Sequence, residues 1–308
     1  MEHVIAFPAL GLEFTVNRVA ANIFGKDIYW YGAIICIGFI LAALYVNARV
    51  KAFGLTSDHL IDCLIICVPV GIVCARIYYV VFEWDYYSQH PTEIIAIWNG
   101  GIAIYGAVIG VVIALFVYSR VKKLSFATLC DLAAFGLLIG QCVGRWGNFV
   151  NGEAHGGETS LPWGMSIDGG DPVHPTFLYE SLWNLIGFIA LHFYSKKRKF
   201  PGEMALLYVA WYGLGRAWIE GLRTDSLYLG TLRVSQVLAA VSCIIAIAVL
   251  VRQYNRIKVR KAFYVPPVEP PVTEAAAQPA EDSAQPAPAE NGAPAETPDA
   301  ASGEAEEK

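Results

Sequence analysis

Seven runs of mainly apolar residues, at roughly 28–48, 61–82, 101–119, 126–144, 176–194, 203–222 and 234–251, fill most of the chain up to residue 251. Each comes close to the ~20 residues that a helix needs to cross the hydrocarbon core of a bilayer. Within lipid every backbone N–H and C=O must be satisfied inside the protein, so only helices and closed barrels span it. The runs are long and continuous, without the two-residue alternation of barrel strands, and this selects helices. The expected fold class is an all-α polytopic membrane protein with seven transmembrane helices. Residues 1–27 lack a basic start followed by an apolar run, so no cleavable signal peptide is expected.

Charge divides the chain in two. The net charge of −5 conceals 21 basic and 17 acidic residues in 1–265, and ten acidic residues with one lysine in 266–308. The first part reads as the membrane domain. The second, rich in Pro, Ala and Glu, is expected to be a disordered cytoplasmic tail without a catalytic role. Lysine and arginine in the short loops set the orientation. Arg49 and Lys51, then Arg120, Lys122 and Lys123, then Lys196 to Lys199, and finally Arg252, Arg256, Lys258, Arg260 and Lys261 fall on one side. The other side holds at most Arg18, Lys26, Arg145, Arg223 and Arg233. That bias puts the N-terminus outside and the C-terminus in the cytoplasm, and an odd helix count agrees.

The seven cysteines all lie in apolar stretches. Cys63 and Cys67 are spaced i, i+4, yet no histidine or carboxylate nearby completes a tetrahedral set, so neither a metal nor a disulfide framework is expected. Small buried side chains explain them. Gly136, Gly140 and Gly144, and also Gly106 and Gly110, repeat every four residues, which suits close helix packing in lipid.

The polar residues gather toward the outer side. Gly144-Arg145-Trp146-Gly147-Asn148-Phe149-Val150-Asn151-Gly152-Glu153-Ala154-His155-Gly156 places an arginine, two asparagines, a glutamate and a histidine at the end of the fourth run. Glycines permit tight turns and close approach to a ligand, and a guanidinium fork suits phosphate. The competing reading is an ordinary polar loop. In the sixth run Tyr212, Arg216 and Glu220 share one helical stripe, with Arg223 three residues on. Ionisable groups in a spanning helix are costly and usually face a bundle interior or a wet cavity. A purely structural Arg216–Glu220 pair competes with that view. The segment His174-Pro175-Thr176-Phe177-Leu178-Tyr179-Glu180 opens the fifth run, and Tyr179 and Glu180 enter the membrane on its first turns. Tyr29-Trp30-Tyr31-Gly32 opens the first run, where interfacial anchoring is the plainer explanation. Gly100 to Gly106, which includes Tyr105, opens the third. Arg76, deep in the second run, needs a buried partner, with Glu83 or a lipid headgroup as candidates. Together these groups form a cavity with two or three arginines, suited to an anionic lipid headgroup.

Residues 144–156 match the pattern G-R-x-G-N-F-x-N-x-E-x-x-G at every fixed position. This resembles the signature of the prolipoprotein diacylglyceryl transferase family. The resemblance extends to Trp30-Tyr31-Gly32, Gly100-Gly101, Tyr105-Gly106, His174 to Glu180, and Tyr212-Gly213 through Arg223. It implies a bacterial inner-membrane enzyme whose active site faces the outer leaflet. The lipobox cysteine of a prolipoprotein signal-peptide segment would attack the glyceryl carbon of phosphatidylglycerol, forming a thioether and releasing glycerol 1-phosphate. Carried over, Arg145 and Arg216 hold the phosphate, and Asn148, Asn151, Glu153 and Gly156 shape the signature site. Tyr31, His174, Tyr212, Glu220 and Arg223 complete the pocket. Some relatives carry histidine where this chain has Tyr105, so Tyr105, Glu153, His155 and His174 all stay open as the base that takes the thiol proton. No cofactor, metal or nucleic-acid partner is expected. A transporter or flippase would call for internal repeats, which are not evident. A lipid hydrolase would call for a motif such as G-x-S-x-G or H-E-x-x-H, and neither occurs.

Overall fold

The computed structural model describes residues 2–23, 25–224, 228–229 and 232–262. The acidic tail from Pro266, with the cytoplasmic-spacer expectation attached to it, lies outside the described residues. Eight helices carry the architecture among them: α1 (Trp30–Arg49), α2 (Ser57–Phe82), the single-turn α3 (Trp84–Tyr87), α4 (Ile104–Val121), α5 (Phe126–Asn151), α6 (Thr176–Tyr194), α7 (Glu203–Ile219) and α8 (Val234–Ala262). Each apolar run of the sequence falls largely within one long helix. Five of them, α1, α2, α4, α5 and α8, are long and apolar enough to cross a membrane. Their outer faces expose Ile40, Leu44, Ile65, Val81, Ile113 and Ile244, with Ile65 67 % exposed. A continuous apolar belt of this kind does not suit a water-facing surface, whereas lipid accepts it. The chain is built as a mostly helical, multi-pass membrane protein.

Two helix ends differ from expectation. α5 does not stop at residue 144 but continues through Asn151, where Gly152 at φ 61° supplies the left-handed cap. The glycines that suggested a loop are accommodated within the helix, so Arg145, Asn148 and Asn151 stand on its last turns. α8 runs past residue 251 to Ala262, carrying Arg252, Arg256 and Lys258 on the helix rather than after it.

A small β layer, which sequence reading did not anticipate, covers one end. β1 (Glu2–Phe7), β2 (Leu12–Asn17) and β5 (Ser166–Ile167) form an antiparallel sheet in the order β2-β1-β5. β3 (Val19–Ile23) and β4 (Lys26–Tyr29) make a hairpin that runs straight into α1, and β6 (Tyr228–Leu229) pairs with β7 (Leu232–Arg233). Ile5 and Phe7 are buried with Met165 and Phe177, so the sheet packs on the start of α6. His3 Nδ1 lies 2.6 Å from Asp168, and this contact, with the Val4 N–H, holds the Asp168 carboxyl below the usual carboxylate range.

Small residues let the helices meet. Trp183 of α6 and Trp211 of α7 stack with ring centroids 4.3 Å apart. Each indole N–H donates to the other residue's carbonyl at 2.9 Å. A side chain on Gly187 or Gly215 would strike the opposite indole. On α4, a Cβ at Gly106 or Gly110 would come within 2.5 Å of Tyr78 or Cys74 of α2, so close packing is their role. At the other end, the fully buried Asp131 of α5 accepts the N–H groups of Gly202 (2.8 Å) and Ala205 (3.0 Å) and pairs with Arg198 (3.2 Å). A carboxylate there satisfies the unpaired donors at the start of α7. Gly215→Val should therefore overpack the α6/α7 crossing and cost about 1–3 kcal/mol. Thermal unfolding of the detergent-solubilised protein reads this as a lower midpoint, and an unchanged midpoint would mean the crossing can yield.

Candidate active site

A buried carboxylate in an apolar helix must be paired, because desolvating it alone costs several kcal/mol. Glu180, in the second turn of α6, is 3 % exposed and meets three arginines. Arg145 of α5 reaches its Oε2 at 2.5 Å, and Arg216 of α7 and Arg223 beyond α7 reach its Oε1 at 3.0 Å and 3.4 Å. Arg216 also pairs with Glu220 one helical turn on, at 2.7 Å, and Arg223 Nε approaches the same carboxylate at 4.0 Å. Arg233 donates to the Glu220 carbonyl. Arg145 and Arg216, from different helices, thus share one partner. Arg145, Arg216 and Arg223 converge on the Glu180 and Glu220 carboxylates from separate segments.

The signature residues extend from this cluster. Arg145 donates to Asn148 Oδ1 at 3.4 Å. Asn148 and Asn151 both donate to Glu153 Oε1, at 3.3 Å and 3.1 Å. Because Arg145, Asn148 and Asn151 lie on successive turns of α5, helical spacing alone puts them on one line. Arg18, between β2 and β3, donates to the Asn151 carbonyl and ties the β layer to the end of α5. Gly147 lies against the Tyr31 ring, 2.7 Å from where its Cβ would stand. Gly156 is similarly pressed between His174 and the Leu222 carbonyl, at 2.7 Å and 2.9 Å. Its N–H donates to the His174 carbonyl, and Gly157 N–H donates to that of Leu222, each at 2.9 Å. These bonds lash the signature loop to the turn that carries Glu220 and Arg223.

Below the polar residues lies an apolar cleft of about 900 Å³ between the α1/α5 and α2/α4 pairs. Tyr31, Arg145 and Asn148 stand at one end and Leu55 and His59 at the other, with Gly136, Gly140 and Gly144 along its wall. Packing accounts for only part of that glycine row. Gly38 of α1 approaches Val143 and Gly140, but a side chain on Gly140 would point into open space.

Other expected site residues sit at the margin. Tyr212 stacks on Tyr208, with ring centroids 5.8 Å apart. Tyr105 reaches Ser235 of α8 at 3.5 Å and stands apart from the arginines in hydrogen bonding. His174 Nδ1 is 3.3 Å from the Tyr179 hydroxyl, and His155 Nδ1 is 3.0 Å from the Gly156 carbonyl. In place of Glu83, one of the sequence-based partners for Arg76, the structure gives it backbone carbonyls. Its guanidinium donates to the carbonyls of Glu93, Ile94, Gly100 and Gly101 at 2.6–2.8 Å, fixing the loop before α4. Glu180 was passed over as a site residue by sequence reading, although a lone carboxylate inside an apolar run was the signal for it.

Comparison with known proteins gives this geometry its context. The family described as prolipoprotein diacylglyceryl transferase matches residues 18–252. A phosphatidylglycerol–prolipoprotein diacylglyceryl transferase of Clostridioides difficile is 46 % identical over 229 residues, 74 % of this chain and 92 % of the relative. The enzyme of that name from Lysinibacillus sphaericus is 46 % identical over 266 residues, 82 % of this chain and 97 % of its own length. That of Clostridium novyi is 44 % identical over 258 residues, 80 % and 99 % respectively. The chain belongs to the prolipoprotein diacylglyceryl transferase family.

Proposed function

We propose that this protein moves the diacylglyceryl group of phosphatidylglycerol onto the cysteine thiol of a prolipoprotein lipobox, the first step of bacterial lipoprotein maturation. One observation carries the reading: Arg145 is both a wall residue of the apolar cleft and a partner of Glu180. A lipid with its acyl chains in the cleft would present its phosphate to the arginines. All seven long helices span the bacterial inner membrane in this reading, with the N-terminus outside and the acidic tail in the cytoplasm. The arginine cluster then faces the outer leaflet, where a secreted peptide arrives.

The reaction joins the peptide sulfur to the glyceryl carbon and breaks the bond from that carbon to the phosphate oxygen. The thiol proton departs, and the singly charged phosphodiester becomes glycerol 1-phosphate with a further negative charge. Charge therefore develops on phosphate oxygens, where Arg145 and Arg216 would act most strongly in a site shielded from water. Cysteine is only slightly ionised at neutral pH, and nearby guanidinium groups favour the thiolate. Asn148, Asn151 and Glu153 would orient the headgroup, while Gly156 and His174 keep the loop closed against Arg223. Tyr31, Tyr105, Tyr212 and Glu220 complete the pocket wall, and no cofactor takes part.

The direct test incubates the purified protein with phosphatidylglycerol and a lipobox peptide and looks by mass spectrometry for a diacylglyceryl adduct on cysteine. A serine peptide serves as control, and no adduct on the cysteine peptide would end the proposal. Arg145→Lys keeps the charge but loses the fork that serves Asn148 and Glu180 at once. Transfer should fall about 100-fold, with helicity by circular dichroism unchanged. Near-normal transfer would remove the phosphate role from Arg145. Gly140→Leu, whose Cβ would start in open space, should occupy the cleft and raise the lipid KM by about tenfold or more. A lipid KM equal to that of the parent would place the acyl chains elsewhere.

A further inference from the structure

β2 is an edge strand. Among the described residues it pairs with β1 alone, in the register Phe7↔Leu12, Ile5↔Phe14 and His3↔Val16. The direction of its unused hydrogen bonds follows from β1. Val4 N–H donates to Asp168 Oδ1, and Val4 C=O accepts from Asp168 N–H, both at 2.8 Å, so the Val4 peptide groups face β5. N–H and C=O of one strand residue point the same way and alternate along the strand. His3, Ile5 and Phe7 therefore face β2 and exchange hydrogen bonds with Val16, Phe14 and Leu12. The peptide groups of Glu13 and Thr15 are left pointing outward, as a two-residue template for another strand.

Such an edge invites pairing, and proteins usually blunt it with charge, proline or a bulge. β2 carries Glu13 as its only charge and no proline. Its inward face is apolar, with Phe14 43 % exposed and its ring 6.1 Å from that of Phe149 in the signature helix. The strand also leads to the site, because Arg18 directly after it holds the Asn151 carbonyl. An extended peptide laid along β2 would lie beside the signature end of α5.

We infer that the free edge of β2 is the docking strand for the peptide substrate, pairing with the extended segment that follows the modified cysteine. This rests on the transferase reading. In that reading the apolar signal segment before the cysteine would lie in the membrane, and the chain after the cysteine would emerge on the side of the β layer. Main-chain hydrogen bonds supply the affinity in this mode of recognition, and every second side chain of the guest meets the apolar face. Such pairing reads the backbone more than the side chains, so it would tolerate guests of different sequence.

The test uses the full-length protein in phosphatidylglycerol-containing micelles and two lipobox peptides, one ending at the cysteine and one running several residues past it. The longer peptide should have the lower KM. N-methylation of successive backbone amides after its cysteine should raise the KM at alternate positions only, by about fivefold per lost hydrogen bond. Thr15→Pro removes one outward N–H without touching the β1 ladder, a placement that edge strands tolerate. It should raise the KM of the long peptide by a similar factor and leave the short peptide and the lipid unaffected, whereas Thr15→Ala should change nothing. A uniform N-methyl profile, equal KM for both peptides, or a Thr15→Pro effect shared by the short peptide would overturn the docking strand while transfer itself persists. Absence of transfer to either peptide would overturn the transferase reading along with it.

Discussion

Glu180 is the contact on which the candidate site is built. Its carboxylate is withdrawn from water within an apolar helix, and removing such a group from solvent is recovered only when the counter-charges are close and well aligned. Those counter-charges come from α5, α7 and the turn after α7, so three separate segments must converge for any one to be satisfied. Local helix energetics cannot account for this. An arginine placed before a glutamate at i, i+4 gives a few tenths of a kcal/mol at best. Convergence on Glu180 gives Arg216 a second, cross-helix partner. It also aims the guanidinium groups from fixed directions before any ligand arrives, the condition under which electrostatic stabilisation works best.

The charge cluster borders the apolar cleft, and that border gives the site its chemical character. A wholly polar pocket would bind free phosphate, and a wholly apolar one would bind lipid tails without orienting them. Arg145 and Asn148 close one end of a cleft whose remaining lining is mostly aliphatic and glycine. A molecule with an anionic head and long apolar tails fits both parts at once. The forked guanidinium groups gathered at Glu180 suit a phosphodiester.

Much of this was legible in the sequence, and the remainder was hidden for definite reasons. The helices could be read because apolar runs near the length of a bilayer have few other fates. Arg145, Asn148, Asn151 and Glu153 could be read because they crowd into one segment, and Arg216, Glu220 and Arg223 because their spacing follows a helix. Glu180 was legible as a polar residue entering the membrane but not as the hub, because its significance lies in partners 35 residues back and 36 and 43 ahead. The true end of α5 was obscured because glycine ordinarily marks a loop, and only the Tyr31 ring against Gly147 explains one inside the helix. The β layer was invisible because β1 takes its second partner from β5, more than 150 residues away. Arg76 misled for a related reason: backbone carbonyls satisfied it, and those carry no sequence identity.

The loops at the β-layer end of the helices are held in the same way. A loop at a membrane face cannot rely on a hydrophobic core of its own, so its backbone must be anchored point by point. Arg76 collects four carbonyls before α4, Arg18 takes one at the end of α5, and Arg233 takes one at Glu220. Arginine suits this work because its several fixed donors can gather carbonyls from different peptides and it remains charged at any physiological pH. The same residue type therefore does two jobs on one side of the protein. Arg76 and Arg18, bonded to backbone carbonyls, hold the frame, whereas Arg145 and Arg216 meet at the Glu180 carboxylate. What each arginine meets decides between them: a carbonyl fixes a loop, whereas the shared Glu180 carboxylate gathers guanidinium groups from separate helices at one point.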